Sequence, residues 1–482
     1  MKLNVLILLL SISICQEIYT DYLVEDQDTI DVFSYQIPVL YDDNISHPLL
    51  LTFHQWGGNE NSNYYTQFDE EANERNWITL SPYGGASNNY NHQGMQNMVE
   101  GEILWMMENF NIDENRIYMV GGSMGGATGA IYANNHLDPT KPMVAATASA
   151  SGILDCERRA IEMDGNNSMI EWFGGEWHEV PFEYHRNSAV YFADSTQSMH
   201  YNLKHTPLYL DFGVTEPHRT HAEDLYNLLT HYNENMWIDT DPSGSHGYSV
   251  FDENHVCEWL SQFELTNNPN TVNVNLDEPS RAYWIEAYNI DTDNDFIRID
   301  AAYTSMSSQI KINQYSNSDS LVLHTLDEQY LSNNNNITFL IDGGGNTLSS
   351  INIGFAGPMF NGFNISNIHA NLVFAYDDYC SSFNYNIDEN NIIWVERFDL
   401  FENTICYTDI PYNISFDFSL PEEYDDVNQD GIWNVIDIIL IMNHILSINP
   451  LTNSQLINAD LNNDGIVDIL DIINLVNIIL SE

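Results

Sequence analysis

A serine flanked on both sides by paired glycines is the first residue in this chain with the surroundings of a nucleophile. Gly121-Gly122-Ser123-Met124-Gly125-Gly126 follows the apolar run at 116–120 and opens a helical stretch. A serine on a tight strand-to-helix turn needs small neighbours because the backbone there is crowded. The turn lifts the hydroxyl above the sheet and aims a helix N-terminus at the reacting carbonyl. Such a nucleophile needs a base, and then an acid to orient the base, in the chain order serine, acid, histidine. Of the 16 histidines, His246 in Gly244-Ser245-His246-Gly247-Tyr248 sits on a glycine-flanked loop and is the expected base, whereas His221, His231 and His255 fall in helical stretches. Glu216, on the loop after the apolar run 207–210, is the expected acid, with Asp211 the second choice. Two backbone N–H groups must face the developing oxyanion. Met124 supplies one, and Trp56 in His54-Gln55-Trp56-Gly57-Gly58 supplies the other, with Gln55 the alternative. The Trp56 ring could equally form a wall for a flat substrate group or pack in the core.

A second constellation is built to hold a cation. Asp426, Asn428, Asp430, Asn434 and Asp437 recur 34 residues later as Asp460, Asn462, Asp464, Asp468 and Asp471. Oxygen side chains at loop positions 1, 3, 5, 9 and 12, with glycine at 6, surround Ca²⁺ with hard donors. Ile432 and Ile466, at position 7, contribute backbone carbonyls. Each loop leads into an apolar helix, at 435–446 and 469–480.

These residues require elements to carry them. From 20 to 265, apolar runs at 48–53, 77–80, 116–120, 144–147 and 207–210 alternate with helical stretches at 99–110, 127–136 and 221–232. That alternation predicts a mainly parallel sheet with helices on both faces. A polar break at 266–275 follows. From 276 to 420, short runs rich in Ile, Val, Tyr and Phe between Asn, Asp, Ser and Gly clusters predict a β-sandwich. No motif in it points to chemistry, so it reads as a spacer, with carbohydrate binding the alternative. Residues 424–482 form the small helical calcium-loop module. Between residues 152 and 207 lies an aromatic-rich insertion, with Trp172, Phe173, Trp177 and Tyr184, whose rings are expected either to stack on a sugar or phenolic group or to pack with no substrate contact.

Together these pieces carry two resemblances. Phe53-His54-Gln55-Trp56-Gly57-Gly58, Asp113 to Tyr118, Gly121 to Gly126, Phe212 to Glu216 and Gly244 to Gly247 resemble the secreted α/β-hydrolases of the polyhydroxybutyrate-depolymerase and feruloyl-esterase type. That group borders on the prolyl-oligopeptidase catalytic domain. The resemblance covers about half the chain and implies ester or amide hydrolysis through an acyl-enzyme, with no cofactor for catalysis. Gln55 stands where these families usually have glycine, and Glu216 where aspartate is commoner. The two calcium loops with their helices resemble a type I dockerin, which implies a cohesin-like protein partner. Asp replaces the EF-hand Glu at position 12, and the first loop lacks an entering helix.

Composition bounds the rest. Asp and Glu total 70 against 13 Lys and Arg, a net charge of −57, while 43% of residues are hydrophobic and 12% aromatic. That apolar content supports folded cores. The charge repels phosphate backbones and anionic lipid surfaces, excluding nucleic-acid binding, and suits a saline or calcium-containing medium. Lys2 and the apolar run 3–14 read as a signal peptide, residues 1–15, and hence export, with lipidation of Cys15 the alternative. Cys156, Cys257, Cys380 and Cys406 are then expected to pair sequentially, with buried free thiols the other option. The leading expectation is a secreted serine esterase acting on polysaccharide acyl or feruloyl esters or a polyester. Its rivals are a peptidase of the prolyl-oligopeptidase kind and a calcium-dependent assembly protein with an inactive hydrolase.

Overall fold

A computed structural model describes residues 17–288 except 165–166 and 243–245, and from 294 onward a discontinuous set that includes the strands and helices named below. The expected signal peptide, Cys380 and Cys406 lie outside the described residues. The chain forms two compact units, one running through Tyr283 with Ile290–Asp300 added, the other holding Trp284–Asn289 and Ala301–Glu482.

The first unit is built on one eight-stranded sheet. Its strands are β1 (Tyr19–Glu25), β2 (Asp28–Gln36), β3 (His47–Phe53), β4 (Ile78–Pro82), β5 (Ile112–Gly122), β6 (Ala146–Ala150), β7 (Leu208–Asp211) and β8 (Met236–Ile238), in the order β1-β2-β4-β3-β5-β6-β7-β8. β1 and β2 are antiparallel, β2 runs against β4, and every later pair is parallel. This is the α/β-hydrolase topology, with crossover helices on both faces.

Alternation along the strands divides two cores, because successive side chains point to opposite sheet faces. Leu49, Leu51, Ile117, Met119, Leu208 and Leu210 pack on one face with Val99, Ile103 and Met106 of the helix Gln93–Asn109. Leu50, Tyr118, Val120 and Tyr209 pack on the other with Val256, Trp259 and Leu260 of a later helix. Helices α1 (Phe68–Glu74), α2 (Gln93–Asn109) and α3 (Thr128–Asn135) cover the first half of the sheet. α2 starts six residues before the apolar pattern does, because its first turns are polar: buried Gln96 bonds Asn91 O and receives the amide of Asn135. The strand expected at 144–147 begins instead at Ala146. Its small residues suit a central position where α3 comes close, and a Cβ on Gly129 would lie 1.9 Å from Thr147 Oγ1.

The aromatic insertion forms α4 (Cys156–Met163), α5 (Ile170–Phe173) and α6 (Pro181–Arg186). Asp155 caps α4 by accepting from Arg158 N at 2.8 Å. Met169, Phe173 and Tyr184 close a small core over Tyr90, Met124 and Ile153. The expected Cys156–Cys257 bridge is not formed. Cys156 lies in that lid core and Cys257 in the core beneath the sheet, both as buried free thiols. Burial pushes each up to about 12. After α7 (Arg219–Leu229) and α8 (Glu253–Leu260), the unit continues past residue 265. The segment 271–276 is a strand locked to the lid side by Asn275, whose N–H donates to Asn202 Oδ1 at 2.8 Å and whose amide donates to Ser198 O.

In the second unit the strands form further β-sheets. Ile285–Ala287 pairs antiparallel with Ser320–Leu323, which pairs parallel with Asn352–Phe355. Tyr412–Ser419 lies antiparallel to both Asn336–Asp342 and Asn364–Leu372. Two apolar helices, Val435–Ile445 and Ile469–Ser481, pack around Val427, Ile441, Leu451 and Leu475. No helix among the described residues is long and apolar enough to cross a membrane.

Candidate active site

Ser123 stands where β5 ends and the helical turn Gly125–Ala127 begins. Its φ of +55° lies in the left-handed region, a conformation costly for a residue with a Cβ and held here by its surroundings. Ser123 N donates to Ala150 O at 2.8 Å, pinning the turn to the end of β6. The flanking glycines are required by contact. A Cβ on Gly121 would sit 2.0 Å from Gly125 O, and one on Gly125 would sit 2.5 Å from both Phe53 O and His54 O.

The structure brings Ser123, His246 and Glu216 into one hydrogen-bonded line. Ser123 Oγ is 2.8 Å from His246 Nε2, and His246 Nδ1 is 2.5 Å from Glu216 Oε2. With Nδ1 donating to the carboxylate, Nε2 is left as the acceptor for the serine proton. The Glu216 side chain is 3% exposed, whereas His246 is 42% exposed and faces the cavity.

Asp211, the second choice for the acid, does not reach the histidine. Its Oδ1 accepts from Phe212 N at 2.7 Å at the end of β7. Burial raises its carboxyl to about 7, and the negative charges of Asp239, Asp241 and Glu216 push the same way against the Phe212 N–H. A folded-state pKa above the unfolded value means the native state holds the extra proton. Its contribution is therefore fully present below the unfolded pKa, near pH 4, and is lost as pH rises through about 7. Asp211→Asn, which keeps the acceptor and removes the charge, should accordingly raise stability by about 1–3 kcal/mol at pH 8 and by nothing at pH 4. Melting temperatures at the two pH values measure this. An equal gain at both would refute the titration.

The expected oxyanion donors share one cavity with the nucleophile. Met124 and Trp56 both line the cavity of about 370 Å³ that opens at Ser123. Trp56 is 60% exposed, so its ring is a cavity wall rather than part of a core. The chain turns immediately after it at Gly57, whose φ is +83° and whose N–H donates to Ser87 O. Gln55 takes a different place. Its side chain fills the space beside Gly247, where a Cβ would lie 1.7 Å from Gln55 Oε1, and Gly247 also has φ +65°.

Several residues that complete the site carry no motif. Ser151, at φ +53°, donates its N–H to Asp211 O and accepts from Gly247 N at 3.1 Å, tying the ends of β6 and β7 to the histidine loop. The Tyr248 hydroxyl donates to Phe53 O at 2.7 Å, joining that loop to the end of β3. Asn91 donates to Met124 O at 3.2 Å and shares a short hydrogen bond with Thr128. Arg159, Tyr90 and His218 line the cavity. They come from three separate segments, so their convergence has no signature in the sequence.

Of the calcium-loop residues, Asp437, Ile466, Asp468 and Asp471 are described; Asp426, Asn428, Asp430, Ile432, Asn434, Asp460, Asn462 and Asp464 lie outside the described residues. Asp437 and Asp471 are fully buried in the first turns of their helices. Asp471 Oδ2 accepts from Asp468 N at 2.8 Å, and Asp468 Oδ1 accepts from Leu470 N at 2.7 Å. An all-oxygen donor set that ends in a buried carboxylate fits a hard divalent cation.

Residues 424–480 match the dockerin type I domain family. Among solved structures the chain is similar to a fluorophosphonate-binding serine hydrolase F of Staphylococcus aureus, with 14% identity and a TM-score of 0.41 over 51% of this chain and 98% of that one. It is similar to a ferulic acid esterase to the same extent, 14% identity and TM-score 0.41, covering 51% and 98%. A bacterial heroin esterase gives 18% identity and TM-score 0.39, covering 51% and 82%. No curated protein sequence matches the chain.

Proposed function

We propose that this chain is a secreted serine esterase that carries its own calcium-dependent docking module. The observation behind the reading is the uninterrupted Ser123–His246–Glu216 line at the mouth of a cavity. His246 takes the proton as Ser123 Oγ attacks an ester carbonyl. Glu216 holds the imidazole in the accepting tautomer and stabilises its cationic form. The backbone N–H groups of Met124 and Trp56 receive the oxyanion. As the tetrahedral intermediate collapses, the ester C–O bond breaks and His246 returns the proton to the departing alcohol. Water, activated by the same histidine, then hydrolyses the acyl-enzyme and regenerates Ser123. The open cavity suits the acyl groups of a polysaccharide or the repeat of a polyester.

Fluorophosphonate labelling of wild type beside Ser123→Ala tests the assignment. Labelling confined to the wild type is the expected result, and equal labelling of both would refute it.

The loops Asp426–Asp437 and Asp460–Asp471 hold two Ca²⁺ ions, and the helices that follow present a surface to a cohesin-like partner. Chelation with EGTA should melt this module: free ligand carboxylates repel one another, and metal-binding free energy in such small modules is folding free energy. Far-ultraviolet circular dichroism should show helix loss that is reversed by millimolar Ca²⁺, with hydrolysis by the first unit retained. A spectrum indifferent to EGTA would remove calcium from the account.

A further inference from the structure

In a chain of net charge −57, the one side chain among the described residues lining the Ser123 cavity that bears a fixed charge is a cation, Arg159 on α4. It is held in place. Its Nη1 lies 3.3 Å from Glu162 Oε2 and 3.2 Å from His218 Nε2. His218 Nδ1 is in turn 3.0 Å from the same Glu162 oxygen. With Nδ1 donating to Glu162, Nε2 of a neutral His218 accepts the Arg159 N–H, and burial with the nearby Arg159 charge keeps His218 below its ordinary value. Glu162 stays ionised: burial alone would raise it, but His221, His218 and Arg159 hold it at about 2. Glu162 anchors one edge of the guanidinium and is not itself part of the cavity lining. Two hydroxyls, Tyr90 and Ser168, line the same cavity, and the Arg159 charge acts on the Tyr90 oxygen.

A fixed guanidinium that lines the cavity, flanked by two hydroxyls, is the chemistry that recognises a carboxylate. We infer that the substrate is an ester that also carries a carboxylate group, and that Arg159 with Tyr90 and Ser168 binds it while Ser123 acts on the ester. The inference rests on the esterase reading above and names its substrate class. His218 and Glu162 act through Arg159 as positioning residues. The anionic surface opposes such a substrate at long range. Salt screens that repulsion over about 8 Å at physiological ionic strength, while a partly buried pair is screened much less.

The test compares charged esters with neutral isosteres in about 0.5 M NaCl, where exposed charges are screened further. One pair places the group on the acyl side: the p-nitrophenyl monoester of adipic acid against its terminal carboxamide. The other places it on the alcohol side: 4-carboxyphenyl butyrate against 4-carbamoylphenyl butyrate. The readout is the carboxylate-to-carboxamide ratio of kcat/KM, which a merely structural role of Arg159 would leave unmoved. In wild type that ratio should be about 10- to 100-fold in one pair, which identifies the side that carries the anion. Arg159→Gln should bring it to one or below, and Arg159→Lys, which keeps the charge without the fork, to an intermediate value. A ratio at or below one for both pairs in wild type, or a ratio unchanged by either variant, overturns the inference. If Arg159→Gln does not fold, the wild-type ratio and the lysine variant decide. Failure of the esterase reading looks different, since neither carboxamide ester would then show Ser123-dependent hydrolysis.

Discussion

Replacing Ser123 by alanine should lower kcat for a p-nitrophenyl ester by about 10⁴- to 10⁶-fold, with little change in melting temperature. The size follows from the loss of the covalent route: without Oγ, His246 has no proton to take, and only binding and the oxyanion donors still favour the reaction. Stability should hold because alanine meets the same left-handed backbone at φ +55° as serine does, and the turn is fixed by its N–H to Ala150 O rather than by the side chain. Glu216→Gln should cost about 10²- to 10⁴-fold. It removes the charge opposite the imidazolium, and its amide can donate to Nδ1, driving the proton to Nε2, the wrong tautomer for a base. Because the three residues act as one unit, Ser123→Ala with Glu216→Gln should be no worse than Ser123→Ala alone. A Ser123→Ala enzyme within tenfold of wild type would show that hydrolysis runs through another group.

Gly125→Ala should be among the most damaging single methyls in the first unit. Its Cβ would be 2.5 Å from two successive carbonyl oxygens, Phe53 O and His54 O, at the start of the loop that carries Trp56. No side chain can rotate away, so backbone must move, either the nucleophile turn or the Trp56 loop. The expected cost is about 3 kcal/mol or more in urea unfolding. A further loss of 10²-fold or more in kcat follows because the displaced parts are those aligned on the reacting carbonyl. Gly121→Ala, 2.0 Å from Gly125 O, should behave alike. Gly57→Ala separates crowding from backbone preference: nothing lies within 4 Å of its Cβ, yet φ is +83°, so it should cost only about 1 kcal/mol. A Gly125→Ala protein with wild-type stability and rate would mean that the approach of the turn to the end of β3 is not tight in solution.

What could be read before folding was what local chemistry imposes. The nucleophile turn shows in the chain because crowding at one backbone corner selects glycines on both sides of Ser123. The sheet shows because strands covered on both faces read as short continuous apolar runs, as 48–53 does, separated by helical stretches. The two loop repeats show because a bound cation would draw its ligands from twelve consecutive residues. Glu216 and His246 were narrowed by chain order and by their loops.

Tertiary structure alone decided what depends on distance between remote segments. It set Glu216 rather than Asp211 against His246, since 2.5 Å to Nδ1 is a property of two loops and not of either. It placed Cys156 and Cys257 in different cores, where the pairing suggested by their order has no geometry to form. It turned Trp56 outward as a cavity wall and set Gln55 against Gly247. It also brought Arg159 to the cavity, a positive group that composition had shown only as one of 13 basic residues among 70 acids. Steric and ligand-spacing rules act within a few residues and so leave a mark in the sequence. The charge of a cavity is summed over segments that meet only once the chain has folded.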